Sequence, residues 1–178
     1  MHEPWKVESR ETVFKNPWWN IRKDVVRLSN GSTYDYFVND GVDGIVVVPV
    51  AADGRFMLQR IYKHGVGEAV LEFPMGRVDA GETPERTAAR ELMEETGHAV
   101  ELEKLGSYWT FPTSSSNRMT LFLGRNARKV GEPEDNPKEQ AELVWVTTEE
   151  LRGMLLRGEL ASLLQMGAGY RALVALGL

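Results

Sequence analysis

Cysteine is absent from the 178 residues of this chain. Its absence excludes disulfide-stapled folds, thiolate metal centres and cysteine nucleophiles. Histidine is scarce as well, with three in the chain, so a structural zinc site is not expected. Long apolar runs are also missing, since the longest, residues 45–52, falls far short of the ~20 residues that cross a bilayer.

The charge of the chain excludes two further classes of partner. Its 21 basic and 26 acidic residues give a net charge of −5. A binder of nucleic acid or of anionic membranes needs a basic face, so neither partner is expected. Charged residues stand at the amino terminus, where a signal peptide needs an apolar stretch. We therefore expect a cytoplasmic protein.

Hydrophobic residues make up 42% of the sequence, and their pattern predicts a mixed α+β fold. Strands are predicted at residues 7–14, 20–28, 33–38, 45–48, 56–62, 70–73, 101–111, 119–123 and 143–146, and helices at residues 84–96, 149–157 and 159–176. The central helix has Thr83 as its N-cap, Pro84 at its first position and Gly97 after its last turn. Gly167 and Gly169 are predicted to interrupt the last helix.

Three glutamates form an acidic edge on the central helix. At about 100° per residue, Glu91, Glu94 and Glu95 share one arc of about 100°. Like charges at this spacing destabilise a helix by about 0.2–0.5 kcal/mol per pair, and a bound cation would relieve the repulsion. Carboxylates without cysteine or histidine favour Mg²⁺ or Mn²⁺. On helix geometry alone, a solvated acidic face neutralised in part by Arg90 is the alternative.

Residues 76–98 surround these glutamates with a longer motif. The Nudix box is written Gly-x5-Glu-x7-Arg-Glu-U-x-Glu-Glu-x-Gly-U, where U is a bulky aliphatic residue. The residues that fit it are Gly76, Glu82, Arg90, Glu91, Leu92, Glu94, Glu95 and Gly97. His98 departs from the last aliphatic position. Fixed letters of about 5–10% abundance each match by chance about once in 10⁸ start positions, so the chain resembles a Nudix hydrolase.

This resemblance implies a Nudix fold, in which a mixed β-sheet is sandwiched between helices in an α/β/α arrangement. It also implies an enzyme that cleaves a nucleoside diphosphate linked to a further group, with a divalent metal. Glu91 and Glu95 would be the first metal ligands and Glu94 a ligand of an additional ion. The carbonyl of Met75 would be a backbone ligand.

The remaining box residues take further roles by the same resemblance. Glu82 would support the loop before the helix and reach metal-bound water, and Arg90 would orient the ligand carboxylates. Gly76 would permit an unusual turn of the loop, and Gly97 the exit from the helix.

Residues just before the box indicate the substrate class. Residues 60–63 (Arg-Ile-Tyr-Lys) and 71–76 (Leu-Glu-Phe-Pro-Met-Gly) resemble the Arg-Gln-Tyr-Arg and Leu-Glu-Leu-Pro-Ala-Gly runs of ADP-ribose and nucleoside-diphosphate-sugar hydrolases. By this resemblance Arg60 contacts the diphosphate, whose oxygens suit a guanidinium, and Glu72 lies beside the ligand or the metals. A surface role is the alternative for Arg60.

The segment after the box carries two more substrate candidates. Pro112 lies near a proline of the ADP-ribose-type members, and Asn117 stands where those members commonly have an acid. Residues 109–114 (Trp-Thr-Phe-Pro-Thr-Ser) partly resemble NADH-cleaving members, so an NADH or dinucleotide pyrophosphatase is the second candidate function. A nucleotide-binding module without catalysis is another alternative, but such a module would be expected to lose box carboxylates.

The first 42 residues are predicted to form a β region in front of a Nudix domain of residues 43–178. In ADP-ribose-type relatives such a region pairs with a second subunit and supplies an aromatic side chain to the base. The resemblance therefore implies a homodimer and assigns Trp19 to substrate binding. Packing in a core or interface is the alternative for Trp18 and Trp19, because neighbours on a strand point to opposite faces.

The loop at residues 131–139 is predicted to supply the general base. It is polar and rich in turn formers, and a carboxylate on a mobile loop can take the proton from an attacking water. ADP-ribose-type relatives carry a Glu-x-Glu run three residues before a strand-borne glutamate, here Glu142. This makes Glu139 the first candidate and Glu134 the second. A solvated acidic loop without a role is the alternative.

Overall fold

The computed structural model describes residues 4–138 and 140–178 and divides the chain into two compact units. The first unit consists of the chain up to residue 43 together with residues 109–118, and the second of residues 44–108 and 119–178. Residues 109–118 thus join the first unit although they are distant from it in sequence. The domain boundary after residue 42 stays a prediction.

Three antiparallel strands in the order β1-β2-β3 form the sheet of the first unit. They are β1 (Lys6–Lys15), β2 (Asn20–Arg27) and β3 (Thr33–Asn39). Every residue of β1 is exposed, so the backbone ladder to β2 and ion pairs hold this strand in place, with little apolar packing. Asp24 is buried between Arg10 and Arg22, each with its Nε 3.1 Å from Asp24 Oδ1.

The segment 109–118 is attached to the end of β3 by backbone hydrogen bonds. The N–H of Asn39 donates to the carbonyl of Ser114 at 2.8 Å, and the N–H of Ser116 donates to the carbonyl of Asn39 at 3.1 Å. With these bonds Ser115 forms a parallel β-bridge with Asn39. Backbone pairing therefore explains why this segment belongs to the first unit.

The second unit is built on a seven-stranded mixed sheet with the central order β10-β5-β4-β9-β8, in which β6 pairs with β5 and β7 with β4. Its strands are β4 (Gly44–Ala51), β5 (Phe56–Lys63), β6 (Glu68–Glu72), β7 (Met75–Arg77), β8 (His98–Trp109), β9 (Arg118–Lys129) and β10 (Ala141–Val146). The central strand β4 is parallel to β9 and antiparallel to β5 and β7.

Three helices complete the second unit: α1 (Pro84–Thr96), α2 (Thr148–Arg157) and α3 (Leu163–Leu176). The bounds predicted for α1 are confirmed, because Thr83 Oγ1 accepts from the N–H of Arg86 and Gly97 ends the helix in the left-handed region at φ 68. The predicted interruption of α3 is wrong. Gly167 and Gly169 lie inside the helix, where a glycine costs about 1 kcal/mol relative to alanine and core packing offsets that cost. No helix among the described residues is long and apolar enough to cross a membrane.

Alternating residues of β4 divide the core between the two faces of the sheet. Ile45 and Val47 pack against α1, in a cluster completed by Ala88, Leu92 and Phe122. Val46 and Val48 point the other way, into a larger cluster with the apolar residues of α2 and α3. The sheet of this unit is therefore covered by helices on both faces, as predicted, and the acidic edge of α1 belongs to one face.

Candidate active site

Arg90 lies at the centre of the acidic edge of α1. Its guanidinium is 3.0 Å from Glu82 Oε2, 3.1 Å from Glu91 Oε1 and 2.9 Å from Glu94 Oε2. The side-chain hydrogen bond to Glu82, followed by the charges of Glu91 and Glu94, raises the pKa of Arg90 although partial burial opposes this. Arg90 therefore offsets the repulsion between the glutamates that α1 brings together.

Glu82 joins the loop before α1 to the helix itself. Its Oε2 accepts from the Thr87 hydroxyl at 2.8 Å, and both of its oxygens accept from the Arg90 guanidinium. These bonds, of which that from Arg90 is the largest influence, lower the pKa of Glu82 from 4.5 to about 2. Glu82 therefore connects the loop to Arg90 and Thr87 of the helix, and its role in the site stays a prediction.

Gly76 lies in β7 directly against the carboxylate of Glu91. A Cβ atom added at Gly76 would stand 2.1 Å from Cδ of Glu91, a distance at which the two side chains overlap. The expectation that Gly76 permits an unusual turn is wrong, because the left-handed glycine of this loop is Gly81, at φ 86. Glycine is required at position 76 for space, because the Glu91 carboxylate occupies the position that a side chain would take.

A cavity of about 70 Å³ opens beside α1 and is lined by Glu91, Glu94, Glu95, Glu134 and Asn136. The last two residues belong to the loop of residues 131–138. The backbone N–H of Glu134 donates to the carbonyl of Glu94 at 2.8 Å, so this loop lies directly on the last turns of α1. The loop thereby adds a fourth carboxylate and a carboxamide to the three glutamates of the helix.

Backbone hydrogen bonds fix the beginning of the same loop to the end of α1. The N–H groups of Val130 and Gly131 donate to the carbonyl of Gly97 at 2.9 and 3.1 Å, close to a helix terminus whose carbonyls need partners from outside the helix. Of the two predicted bases, Glu134 lines the cavity. Glu139 lies outside the described residues.

The donor set of this cavity fits a hard divalent cation. Its carboxylate and carboxamide oxygens are the ligands that Mg²⁺ and Mn²⁺ prefer, and the glycine at position 76 leaves room for the Glu91 carboxylate. Among the described residues, no three acidic or histidine side chains already stand together as metal ligands. The guanidinium of Arg90 explains part of this, because Glu91 and Glu94 both turn towards it.

The register of the sheet separates Arg60 from the acidic edge. Arg60 pairs with Leu71 on one side and Glu142 on the other, and it shares its face of β5 with Leu58, which packs in the cluster with α2 and α3. Its Nε is 3.7 Å from Glu142 Oε2. The structure therefore does not bring Arg60 to the face of α1, and its contact with the diphosphate stays a prediction.

Gln59, Glu72 and Lys63 lie on the opposite face of β5 and β6, the face that α1 covers. Lys63 Nζ is 2.6 Å from Glu72 Oε1, and the Glu72 side chain is 5% exposed. Gln59 is 1% exposed, and its Oε1 has no hydrogen-bond partner in the part of the chain that the structure describes. Sequence analysis names Glu72 but not Gln59 or Lys63, which the alternation of β5 places on the same face as Glu72 once the register is known.

The two adjacent tryptophans of the first unit lie in the turn between β1 and β2. The N–H groups of Trp18 and Trp19 donate to Asn16 Oδ1 at 2.8 and 2.7 Å, and both rings are exposed. The argument that strand geometry sends them to opposite faces is therefore wrong, because neither residue is in a strand. A role for Trp19 in substrate binding stays a prediction.

Pro112 and Asn117 lie in the segment 109–118 of the first unit. Pro112 is exposed in a turn. Asn117 Oδ1 accepts from the Thr110 hydroxyl at 2.8 Å and from the Ser115 hydroxyl, so its carbonyl oxygen stabilises the loop. Contact of either residue with substrate stays a prediction.

Two family models match this chain. The model described as NUDIX domain matches residues 42–164, which include the whole box and the loop of residues 131–138. The chain belongs to the Nudix family. A second model, described as the nucleoside diphosphate sugar hydrolase N-terminal domain, matches residues 5–39 of this Nudix protein, the part that contains β1, β2 and β3.

Relatives of this Nudix protein include two bacterial enzymes named ADP-ribose pyrophosphatase. That of Mycobacterium tuberculosis (strain ATCC 25618 / H37Rv) is 32% identical over 158 residues, 86% of this chain and 76% of that protein. That of Bacillus subtilis (strain 168) is 26% identical over 147 residues, 82% of this chain and 80% of that protein.

A solved structure confirms the predicted Nudix fold. The crystal structure of an ADP compounds hydrolase matches with a TM-score of 0.87 at 22% identity, over 98% of this chain and 95% of that chain. In this Nudix domain the box runs from β7 through α1 to the start of β8, so its glutamates share one face of the sheet with Glu72 and Lys63.

Proposed function

We propose that this Nudix protein hydrolyses the pyrophosphate bond of ADP-ribose, or of a related nucleoside diphosphate linked to a sugar, with Mg²⁺ or Mn²⁺. One observation carries the proposal: three glutamates of the box helix and one acid-bearing loop line a single cavity. The substrate class is supported by the match to the N-terminal domain of nucleoside diphosphate sugar hydrolases. The relatives named ADP-ribose pyrophosphatase support it too.

Glu91, Glu94 and Glu95 would hold the divalent ion, with the carbonyl of Met75 as a further ligand. When bound, the ion neutralises phosphate oxygens and increases the acidity of water beside the phosphorus. Arg90 keeps the carboxylates oriented, because its guanidinium contacts both Glu91 and Glu94. Its charge also lowers the repulsion that a diphosphate would meet at an acidic helix edge.

The loop of residues 131–139 would accept the proton that water loses when it attacks phosphorus. Glu134 lines the cavity, and Glu139 is the first candidate by resemblance. The assignment is tested by Glu134→Gln and Glu139→Gln, of which the variant that removes the base should lower kcat far more than it raises KM. Glu132→Gln is the control from the same loop, because Glu132 is exposed and pairs with Lys129. If neither variant changes kcat, the base must be sought in Glu82 or Glu94.

Substrate contacts are proposed for Arg60, Glu72, Trp19, Pro112 and Asn117. Glu72 has the strongest physical support, because its carboxylate is buried and paired with Lys63 on the sheet face that also carries the box helix. Alanine at each of the other positions should raise KM for the substrate with less effect on kcat. A position at which alanine leaves KM unchanged has no substrate contact.

We further infer a homodimer formed through the first unit. The inference is supported by an edge strand that is exposed along its whole length and by exposed aromatic side chains beside it. Proteins usually cover such edges and apolar patches with another element or another subunit. The exposed aromatics of this unit include Phe14, Trp18, Trp19, Tyr34 and Phe37. Sedimentation equilibrium tests the inference, and a mass of 20.0 kDa, that of one chain, would contradict it.

A substrate panel tests the activity directly. Purified protein with Mg²⁺ or Mn²⁺ is offered ADP-ribose, GDP-mannose, UDP-glucose, NADH and a dinucleoside polyphosphate, and products are separated by chromatography. ADP-ribose should yield AMP and ribose 5-phosphate. Faster cleavage of NADH would favour the dinucleotide pyrophosphatase, and nucleotide binding without any cleavage would favour the non-catalytic module.

Two variants connect the activity to the cavity. Glu95→Gln keeps the shape of the side chain and removes its charge, so it should abolish most of the turnover without unfolding the protein. Glu85→Gln is the matched control on the same helix, because Glu85 is exposed and pairs with Lys104. Turnover of the Glu95→Gln variant at the parent rate would refute the metal-ligand assignment.

A further inference from the structure

Gln165 is a buried polar residue of α3, with 1% of its surface exposed. Its Oε1 accepts from the backbone N–H of Phe73 at 2.8 Å, and its Nε2 donates to the backbone carbonyl of Phe73 at 3.2 Å. The same Nε2 is 3.4 Å from Sδ of Met75. One side-chain amide therefore pairs with both backbone groups of Phe73, as a neighbouring strand would.

Phe73 needs this pairing because it falls between β6 and β7. Its side chain is fully buried, so water cannot satisfy its backbone groups, and an unpaired buried backbone group is strongly unfavourable. Pro74 follows and has no N–H to offer, and its carbonyl accepts from the N–H of Val47 at 2.9 Å. The connection is thus held by β4 through Pro74 and by α3 through Phe73.

This connection carries groups of the site at both of its ends. Glu72, paired with Lys63, comes directly before Phe73. Met75 and Gly76 come directly after Pro74, and Gly76 lies against the Glu91 carboxylate. Gly76 follows Phe73 after two intervening residues, and the bonded chain holds adjacent Cα atoms at a fixed spacing of about 3.8 Å. A shift of the Phe73 backbone would therefore displace the chain beside Glu91.

The chain just before α3 also follows this part of the sheet. Leu160 forms a parallel bridge with Leu71, and the N–H of Ala161 donates to the carbonyl of Leu71 at 2.8 Å. The other buried positions of α3 are small or apolar: Ala168, Gly169, Ala172 and Leu173. Core packing alone gives no reason for an amide at position 165, since an apolar side chain of equal length would fill the same space.

The geometry points to Gln165 as a positioning residue of the active site, which fixes the Phe73 backbone so that the Met75 carbonyl and Gly76 are presented to Glu91. This inference rests on the proposed function for its link to catalysis. It concerns a residue of α3 that is 92 positions from Phe73 in the sequence and lies outside the box.

The test compares Gln165→Met, which keeps the length of the side chain and removes both hydrogen bonds, with Leu173→Ala, which opens the core of the same helix. Mutation of residues that support metal ligands typically lowers metal affinity or activity by about 10–100-fold. Gln165→Met should therefore lower kcat on ADP-ribose about tenfold or more, and weaken Mn²⁺ binding, measured by electron paramagnetic resonance without substrate, by a similar factor. Leu173→Ala should lower the unfolding temperature but leave kcat and Mn²⁺ affinity within about twofold.

A third variant, Gln165→Glu, tests rescue. Its carboxyl can still accept from the Phe73 N–H, so it should recover part of the Mn²⁺ affinity that Gln165→Met loses. If Gln165→Met retains both kcat and Mn²⁺ affinity within about twofold of the parent, the positioning role is overturned. Equal losses in Leu173→Ala would overturn it as well, because the effect would then be a general consequence of core damage.

The unmodified protein provides a measurement that does not depend on activity or on the folding of a variant. The hydrogen of the Phe73 amide should exchange with solvent as slowly as the amide hydrogens of β5, because it is held in a hydrogen bond to Gln165 Oε1. Fast exchange of the Phe73 amide would refute the inference. If the parent cleaves no substrate in the panel, the proposed function fails, while Mn²⁺ affinity and Phe73 exchange still decide the role of Gln165.

Discussion

Replacing Gly76 by alanine tests the geometry of the site most directly. The added Cβ would be 2.1 Å from Cδ, 2.3 Å from Oε1 and 2.4 Å from Cγ of Glu91. Ordinary van der Waals contact begins at 3.4 Å, so Glu91 must retreat by 3.4 − 2.1 = 1.3 Å or rotate away. Either movement breaks the 3.1 Å contact between Glu91 and Arg90.

The expected loss differs between stability and activity. If the backbone resists, overpacking costs about 1–3 kcal/mol in the free energy of unfolding. If Glu91 rotates away instead, the backbone keeps its place and the cost to stability is smaller. Catalysis should suffer in both cases, since a misplacement of about 1 Å lowers a rate by about 10²-fold.

The assay combines urea unfolding, turnover of ADP-ribose and Mn²⁺ binding of Gly76→Ala. Gly65→Ala is the control, because a Cβ at Gly65 meets nothing within 4 Å and its φ is not left-handed; it should be as active as the parent. A Gly76→Ala protein with parent turnover and parent Mn²⁺ affinity would refute the claim that this glycine makes space for a functional Glu91.

Three further predictions concern acid stability, metal and a buried amide. The hydrogen bonds from Arg90 and Thr87 lower the pKa of Glu82 from 4.5 to about 2, so the stabilisation that they provide is present above pH 4.5 and is lost as the pH falls towards 2. The stability of Glu82→Gln should therefore fall less steeply with acid in this window than the stability of the parent. Urea midpoints that change equally with pH in the two proteins would contradict the assignment. Chelation of divalent ions should abolish turnover, and readdition of Mn²⁺ should restore turnover and raise the unfolding temperature. Activity that survives chelation would exclude a requirement for a divalent metal. Gln59→Leu should raise the free energy of unfolding by about 1 kcal/mol, because it removes a buried acceptor that has no partner among the described residues; a lower stability in urea would mean that Gln59 Oε1 is satisfied by water or ligand.

Local signals in the sequence were sufficient for α1 and its acidic edge. A helix begins and ends through contacts within a few residues, which is why Thr83, Pro84 and Gly97 predicted the observed bounds. The shared arc of the three glutamates follows from helix geometry alone. The short strand β7 was not predicted, because its three residues follow a proline and pair with β4, which is distant in sequence.

The face on which Arg60 lies could not be read from the sequence. Phe56, Met57, Leu58 and Gln59 are all buried, because both faces of β5 are covered. A strand covered on both faces shows no alternation of polar and apolar residues. Its two sides become distinguishable only when the neighbouring strands are in register.

The sequence by itself determined the family, the box helix and the carboxylates that this helix presents, because each of these depends on spacing along a short stretch of chain. Tertiary structure alone decided the contacts that distant segments make with that helix and with the chain before it. The loop bearing Glu134 binds the end of α1 from 40 residues away, Gln165 binds Phe73 across 92 residues, and Gly76 is needed because Glu91 lies against it. These contacts arise from the return of the chain across a common sheet, and the sequence carries no local signal for them.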